Sequence, residues 1–127
     1  MSGSLLAVIV DCQDPLRLGE FWAQALDFEV AEQHPGEVRV SKPGAGPFLY
    51  FMQASLPKAR ENRLHLEVVT TGSMQDEVAR LAEVGAELVE VRQDPPTFDN
   101  PETWTVMRDP EGNEFWVTST STLTGLG

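Results

Sequence analysis

Hydrophobic and polar positions along this chain follow an order that occurs twice. An apolar run at residues 5–10 leads into a helical pattern, and a second apolar run at residues 63–69 leads into another. Corresponding positions in the two copies are 58 residues apart, as in the pairs Val10 and Val68, and Leu26 and Val84. A tandem repeat of this kind indicates two half-domains of similar structure.

The first copy begins with a predicted strand and a capped helix. Residues 5–11 are β-branched and almost continuously apolar, which predicts a buried strand. Asp14 can accept hydrogen bonds from free helical amides and Pro15 suits the first helical position, so we expect a helix that ends at Asp27. The apolar face of that helix has the spacing i, i+3, i+4 and i+7, at Leu18, Phe21, Trp22 and Ala25.

The second copy repeats these elements. Alternation across residues 63–69 predicts a strand with His65 and Glu67 on the same side. Ser73 begins a helix through an S-x-x-D cap, and Gly85 suits its end. Shorter segments predict the remaining strands, three in each copy, at residues 28–31, 37–40, 48–52, 86–91, 103–107 and 114–118.

Each copy therefore has the order β-α-β-β-β, and helices on mainly antiparallel sheets define the α+β class. We predict two tandem βαβββ modules that form a curled, cleft-bearing mixed sheet, because strands twist. Module one is expected at about residues 4–54 and module two at about residues 63–119, with a linker at 55–62. A loose tail rich in Ser, Thr and Gly is expected at residues 120–127.

Composition and charge disfavour several classes of partner. The chain has 127 residues and a net charge of −11, which repels nucleic acids and anionic lipid surfaces. No run of about 18 apolar residues occurs, so no membrane span is expected. The single Cys12 cannot form an internal disulfide, and no signal-peptide pattern is present. We therefore expect a cytoplasmic protein.

Four segments in this order resemble the vicinal oxygen chelate superfamily, which includes glyoxalase I, bleomycin-resistance proteins and extradiol dioxygenases. They are VDCQDPLRLGEFWAQALDFEV, RLHLEV, DEVARLAEVGAELV and RDPEGNEFWV, of which the last is the most specific. The resemblance covers roughly residues 5–118 and points to the glyoxalase-like domain subgroup. It implies the glyoxalase-like fold and a homodimer. Asp27 stands where the superfamily usually has glycine.

The resemblance also implies a divalent metal held by one side chain from each of four inward strands. Those positions fall here at Ala7, Tyr50, His65 and Trp116. Alanine has no donor atom, indole nitrogen has no free lone pair, and a phenol is a poor ligand near neutral pH. Only His65 is a competent ligand, so no metal and no cofactor are expected. A divalent metal would require a different register, with Met52 or Gln53 in place of Tyr50.

Side chains on the same strands are the candidates for a binding site. Aromatic rings suit planar ligands by stacking and cations by their negative faces. The ligand-binding candidates are Tyr50, Met52, Arg63, His65, Trp104 and Trp116. Among them, Arg63 would anchor a carboxylate or phosphate. His65 and Glu67 are the candidate acid–base pair for a catalytic function.

These observations predict a metal-free glyoxalase-like protein that binds a small apolar or aromatic molecule in the cleft between the modules. Sequestration of a toxic compound, as in bleomycin-resistance proteins, is one form of that function. Two alternatives stay open. One is a vicinal oxygen chelate enzyme, a lyase, isomerase or dioxygenase that uses a metal or the pair His65 and Glu67. The other is a non-catalytic assembly domain.

Overall fold

Two compact units make up the chain, Met1–Arg60 and Glu61–Gly127. The computed structural model describes residues 3–55, 58, 60, 62, 64–93 and 103–120. In chain order the elements are β1 (Ala7–Cys12), α1 (Pro15–Leu26), β2 (Glu29–His34), β3 (Glu37–Ser41), β4 (Phe48–Gln53), β5 (Leu66–Thr70), α2 (Met74–Glu83), β6 (Glu87–Gln93), β7 (Thr103–Arg108) and β8 (Glu114–Ser119).

Each unit holds one four-stranded mixed sheet. The first has the order β1-β4-β3-β2 and the second has the order β5-β8-β7-β6. β1 runs parallel to β4, and β5 runs parallel to β8. All other neighbouring strands in the two sheets are antiparallel. Each unit is thus a βαβββ module, and the predicted α+β fold of two tandem modules is confirmed.

The internal repeat extends to an irregularity that the sequence did not predict. The pairing of β2 with β3 shifts register between Val30 and Glu32. The pairing of β6 with β7 shifts between Leu88 and Glu90, which lie 58 residues further along the chain. A bulge bends the strand that carries it and increases its twist. Both sheets therefore carry an irregularity of pairing at the same place in the repeat.

The core of the first unit is built where α1 packs on its sheet. Leu18, Phe21, Trp22 and Ala25, the predicted apolar face, are all buried. The backbone of α1 comes close to the sheet at Gly19, where an added Cβ would lie 2.8 Å from Cγ1 of Val38 and 3.5 Å from the ring of Phe51. The helix therefore covers the sheet face that carries Val38 and Phe51.

The helix ends follow the predicted caps. The side chain of Asp14 accepts a hydrogen bond from the amide of Arg17 at 3.2 Å, and Ser73 accepts one from Asp76 at 3.1 Å. Asp27 ends α1 in the left-handed conformation, with φ at 56°, which is the geometry that usually selects glycine. No helix in the described ranges is long and apolar enough to span a bilayer.

Two predictions about the opening strands are wrong. β5 begins at Leu66 instead of residue 63, because its pairing begins at Leu66 and Phe115, and His65 therefore precedes the strand. β1 was expected to be buried, but it forms an edge of its sheet, and Ile9 is 64% exposed. A short apolar run does not distinguish a central strand from an edge strand.

We predict that Gly19→Ala destabilises the protein by about 1–2 kcal/mol. Overpacking against a stiff β-branched side chain costs about 1–3 kcal/mol, and the better helix propensity of alanine recovers up to about 1 kcal/mol. Urea unfolding measures the change. Glu20→Ala, on the exposed side of the same helix, is the control and should stay within about 0.5 kcal/mol of the parent. Parental stability for Gly19→Ala would show that the contact with Val38 is not tight.

Candidate functional site

In each unit, one face of the sheet carries the helix and the opposite face does not. We call the second the helix-free face. In the first unit it carries side chains of alternate residues, including Tyr50 and Met52 on β4, because Leu49 and Phe51 face α1. In the second unit, the pairing of β7 with β8 shows which side chains lie together on the corresponding face. Its helix-free face includes Glu67, Val69, Trp104, Val106, Trp116 and Thr118.

An aromatic cluster lies on the helix-free face of the second sheet. The indole rings of Trp104 and Trp116 have their centroids 5.2 Å apart at an interplanar angle of 32°. The imidazole of His65 lies 6.1 Å from the ring of Trp116. Both indoles are half-buried. Three of the predicted site residues are therefore brought together, and we call them the indole cluster.

The imidazole of His65 is held by a hydrogen bond to the chain segment that precedes β5. Its Nε2 lies 3.1 Å from the backbone carbonyl oxygen of Asn62. A carbonyl can only accept, so the proton of a neutral imidazole is on Nε2 and the lone pair is on Nδ1. Metal ligation through Nε2 would break this hydrogen bond. Nδ1 is the nitrogen left to accept a proton or a hydrogen bond.

Glu67 lies on the same sheet face but is not joined to His65. It is exposed on β5, and its register partner on β8 is Trp116. Within the part of the chain that the structure describes, Glu67 makes no hydrogen bond or ion pair with His65. The predicted acid–base pair is therefore not assembled. A carboxylate at the border of the indole cluster instead makes that border negative.

The predicted residues Tyr50 and Met52 belong to the first unit. The phenol of Tyr50 lies 6.3 Å from the ring of Phe48, and Met52 is 37% exposed. Arg39 places its guanidinium 5.2 Å from the ring centroid of Phe48 and pairs with Glu32 at 2.8 Å. This face thus carries an ion pair beside its aromatic rings. The sequence analysis missed Arg39 as a residue of this face, although the alternation of polar and apolar residues along β3 would have placed it there.

Arg63, the predicted anion anchor, lies outside the described residues. The proposed roles of the other five ligand-binding candidates stay predictions. Thr118, on the helix-free face of the second sheet, is a further candidate that the sequence analysis missed. It lies two residues after Trp116, so strand alternation alone would have placed it on the same face.

The metal positions of the superfamily carry side chains that do not suit a divalent ion. Ala7 and His65 occupy equivalent places at the starts of the two modules, and Tyr50 and Trp116 occupy equivalent central places on β4 and β8. A methyl group and an indole supply no lone pair, and the Nε2 of His65 is engaged. In the described ranges, no group of three or more His, Cys, Asp or Glu could hold a metal ion. This donor set does not fit the metal.

A surface pocket of about 630 Å³ lies elsewhere, within the first unit. It lies between the start of α1 and the turn from β2 to β3, and Asp14, His34 and Gln53 are among the residues that line it. None of the predicted ligand-binding or acid–base residues is among its described lining residues, and neither is any Phe, Tyr or Trp. Ligand sites are usually apolar with a few converging polar groups. The indole cluster matches that description better than this polar pocket does.

The chain belongs to the glyoxalase-like domain family, whose model matches residues 7–118. This confirms the resemblance that the sequence motifs carried. No curated protein matches the chain in sequence.

Solved structures show the same fold at low sequence identity. One is a glyoxalase/bleomycin resistance protein/dioxygenase family enzyme from Burkholderia phytofirmans, at 17% identity and a TM-score of 0.74, covering 92% of this chain and 98% of that one. Another is a mutant of the fosfomycin resistance protein FosX from Listeria monocytogenes, complexed with Mn(II) and 1S,2S-dihydroxypropylphosphonic acid, at 14% identity and a TM-score of 0.72, with full coverage of both chains. TioX from Micromonospora is also similar, at 16% identity and a TM-score of 0.60, covering 91% and 97%.

We predict that the phenol of Tyr50 titrates above its ordinary value of 10. The largest cause of the raised pKa is the hydrogen bond to Glu37. Desolvation and the negative charge of the same carboxylate raise the pKa further, because all three effects oppose a phenolate. Tyr50 is the only tyrosine, so absorbance at 295 nm reports it alone. Glu37→Gln should lower the midpoint, and Glu29→Gln, on the edge strand β2, is the control. An unchanged midpoint in Glu37→Gln would contradict the assigned cause.

Proposed function

We propose that this protein binds a small planar organic molecule against the indole cluster without using a metal ion. The observation that carries the proposal is the pair of half-buried indoles 5.2 Å apart on a sheet face that no helix covers. Large aromatic rings at the surface gain free energy when a flat apolar ligand covers them, through area burial and ring stacking. The predicted position of the ligand in a cleft between the modules stays a prediction.

The donor set of this chain supports binding without a metal. FosX shares the fold and was crystallised with Mn(II), but an ion here would find Ala7 and Trp116 at two of the four superfamily positions. A divalent ion needs several lone-pair donors to replace its hydration shell. We therefore place no metal in the proposed function and derive no catalytic step from one.

Binding is better supported than metal-free catalysis. An acid–base mechanism would need His65 and Glu67 to act together, and no hydrogen bond joins them in the described residues. Sequestration of a toxic aromatic compound is one form that the binding function takes, and the similarity to a fosfomycin resistance protein is consistent with it. A non-catalytic assembly domain would not bind the planar probe, so a binding titration separates that alternative from the proposal.

Two further features complete the proposal. We propose a homodimer in the cytoplasm, which accords with the single cysteine and the acidic composition. Exposed apolar side chains at the edge strands supply area for such an association: Leu5, Leu6, Ile9, Leu64 and Val69. Nucleic acids and anionic membranes are not proposed as partners, because the net charge is −11.

Isothermal titration calorimetry with 2-naphthol, a neutral planar probe, tests the proposal. We expect Trp116→Ala to weaken binding by about tenfold, since it removes one stacking surface and its buried area. Val91→Ala is the matched control, because Val91 is 60% exposed on the other face of the second sheet. Parental affinity in Trp116→Ala, or no binding to the parent protein, would contradict the proposal.

A further inference from the structure

Two polar atoms on the helix-free face of the second sheet are buried without a hydrogen-bond partner. They are Nε1 of Trp104 and Oγ1 of Thr118, and the Thr118 residue is only 5% exposed. Buried polar groups in proteins are nearly always hydrogen-bonded, because leaving water without a new partner costs free energy. Two exceptions on one face are therefore informative about what that face binds.

The two atoms belong to neighbouring residues on adjacent strands. Thr105 on β7 pairs with Val117 on β8, and extending this antiparallel register by one residue sets Trp104 opposite Thr118. The Cβ atoms of directly opposed residues lie about 4.5–5.5 Å apart. Trp116 is two residues from Thr118 on the same face, and its ring stands 5.2 Å from that of Trp104. The unpartnered atoms thus border the indole cluster.

The chemistry of these atoms indicates the group that they would bind. An indole N–H is only a donor, and a threonine hydroxyl can donate as well. Two donors beside a stacking surface suit an acceptor oxygen attached to a planar ring. A carboxylate suits the site less well, because Glu67 lies next to Trp116 on β5 and makes no ion pair in the described residues. The face therefore favours a neutral carbonyl-type oxygen.

We infer that the ligand of the indole cluster carries a neutral acceptor oxygen, such as that of an aryl ketone, amide or quinone, which Trp104 and Thr118 bind by hydrogen bonds. This inference rests on the proposed function, since the ring of the ligand must lie on the indoles. Both atoms are shielded from bulk water, so a ligand oxygen that binds them supplies hydrogen bonds that the protein alone does not make. Trp104 then acts both as a stacking surface and as a donor.

A matched pair of ligands tests the inference. 1-Indanone and indane have the same fused-ring skeleton, and only the ketone has an acceptor oxygen. The chain has three tryptophans, so three indole N–H signals appear in a nitrogen–proton correlation spectrum, and Trp104→Phe identifies one of them. We expect the ketone to bind about five to ten times more tightly than indane and to move the Trp104 N–H signal downfield.

Removal of the threonine hydroxyl provides the second measurement. Thr118→Val should weaken 1-indanone binding about threefold to tenfold and leave indane binding unchanged. Thr105→Val is the control, because Thr105 is equally buried but lies on the opposite face of β7. Unfolding curves of both variants verify that they are folded.

The outcomes separate the inference from the function on which it rests. If indane and 1-indanone bind the indole cluster equally well and Thr118→Val affects neither, the inference is wrong and the proposed function stands. If neither compound perturbs the Trp104 or Trp116 signals, both are wrong. If Thr105→Val weakens ketone binding as much as Thr118→Val does, the hydroxyl acts through stability and the inference is wrong.

Discussion

Each sheet is covered by a helix on one face only, and this determines where the core and the candidate site can form. A four-stranded sheet has two faces, and each module supplies one helix. In the first module, Gly19 brings α1 close to Val38 and Phe51, and Leu18 and Phe21 on the same helix are buried, so this sheet face contributes to stability. The opposite face is left to carry side chains that are not selected for packing under a helix.

The two modules have used that freedom differently. At equivalent positions the first sheet carries Tyr50 and the second carries Trp116. The first face adds the ion pair of Arg39 with Glu32, whereas the second adds a second indole and an unpaired hydroxyl. The two modules thus share their strand order and the position of the register shift, and their helix-free faces differ in that the first carries an ion pair and the second carries two neighbouring indoles.

The sequence predicted the architecture well because local chemistry determines it. Asp14 and Ser73 cap the helices as expected, and the 58-residue repeat recurs in the elements and in their bulges. The sequence did not predict that β1 lies at an edge, nor that His65 precedes β5. Both depend on pairing partners more than 40 residues away, and an apolar run carries no information about which neighbours it will have.

Strand alternation predicts which candidate residues share a sheet face, but it does not predict the geometry of the candidate site, and the binding roles of these residues stay predictions. Alternation along β7 and β8 selects Trp104 and Trp116, and it would also have selected Thr118. It does not reveal that the Nε2 of His65 donates to Asn62, nor that two buried donors lack partners, since both are properties of tertiary packing. Those contacts turn a general expectation of an aromatic ligand into a specific one.

We propose that flat organic molecules, and not metal ions, bind to the helix-free face of the second sheet. A crystal structure of the protein grown with Mn(II) and 2-naphthol together tests this most directly. We expect electron density for the naphthol ring against Trp104 and Trp116, and no ion at His65. An ion bound to His65 and at least two other protein atoms, with no ring on the indoles, would contradict it.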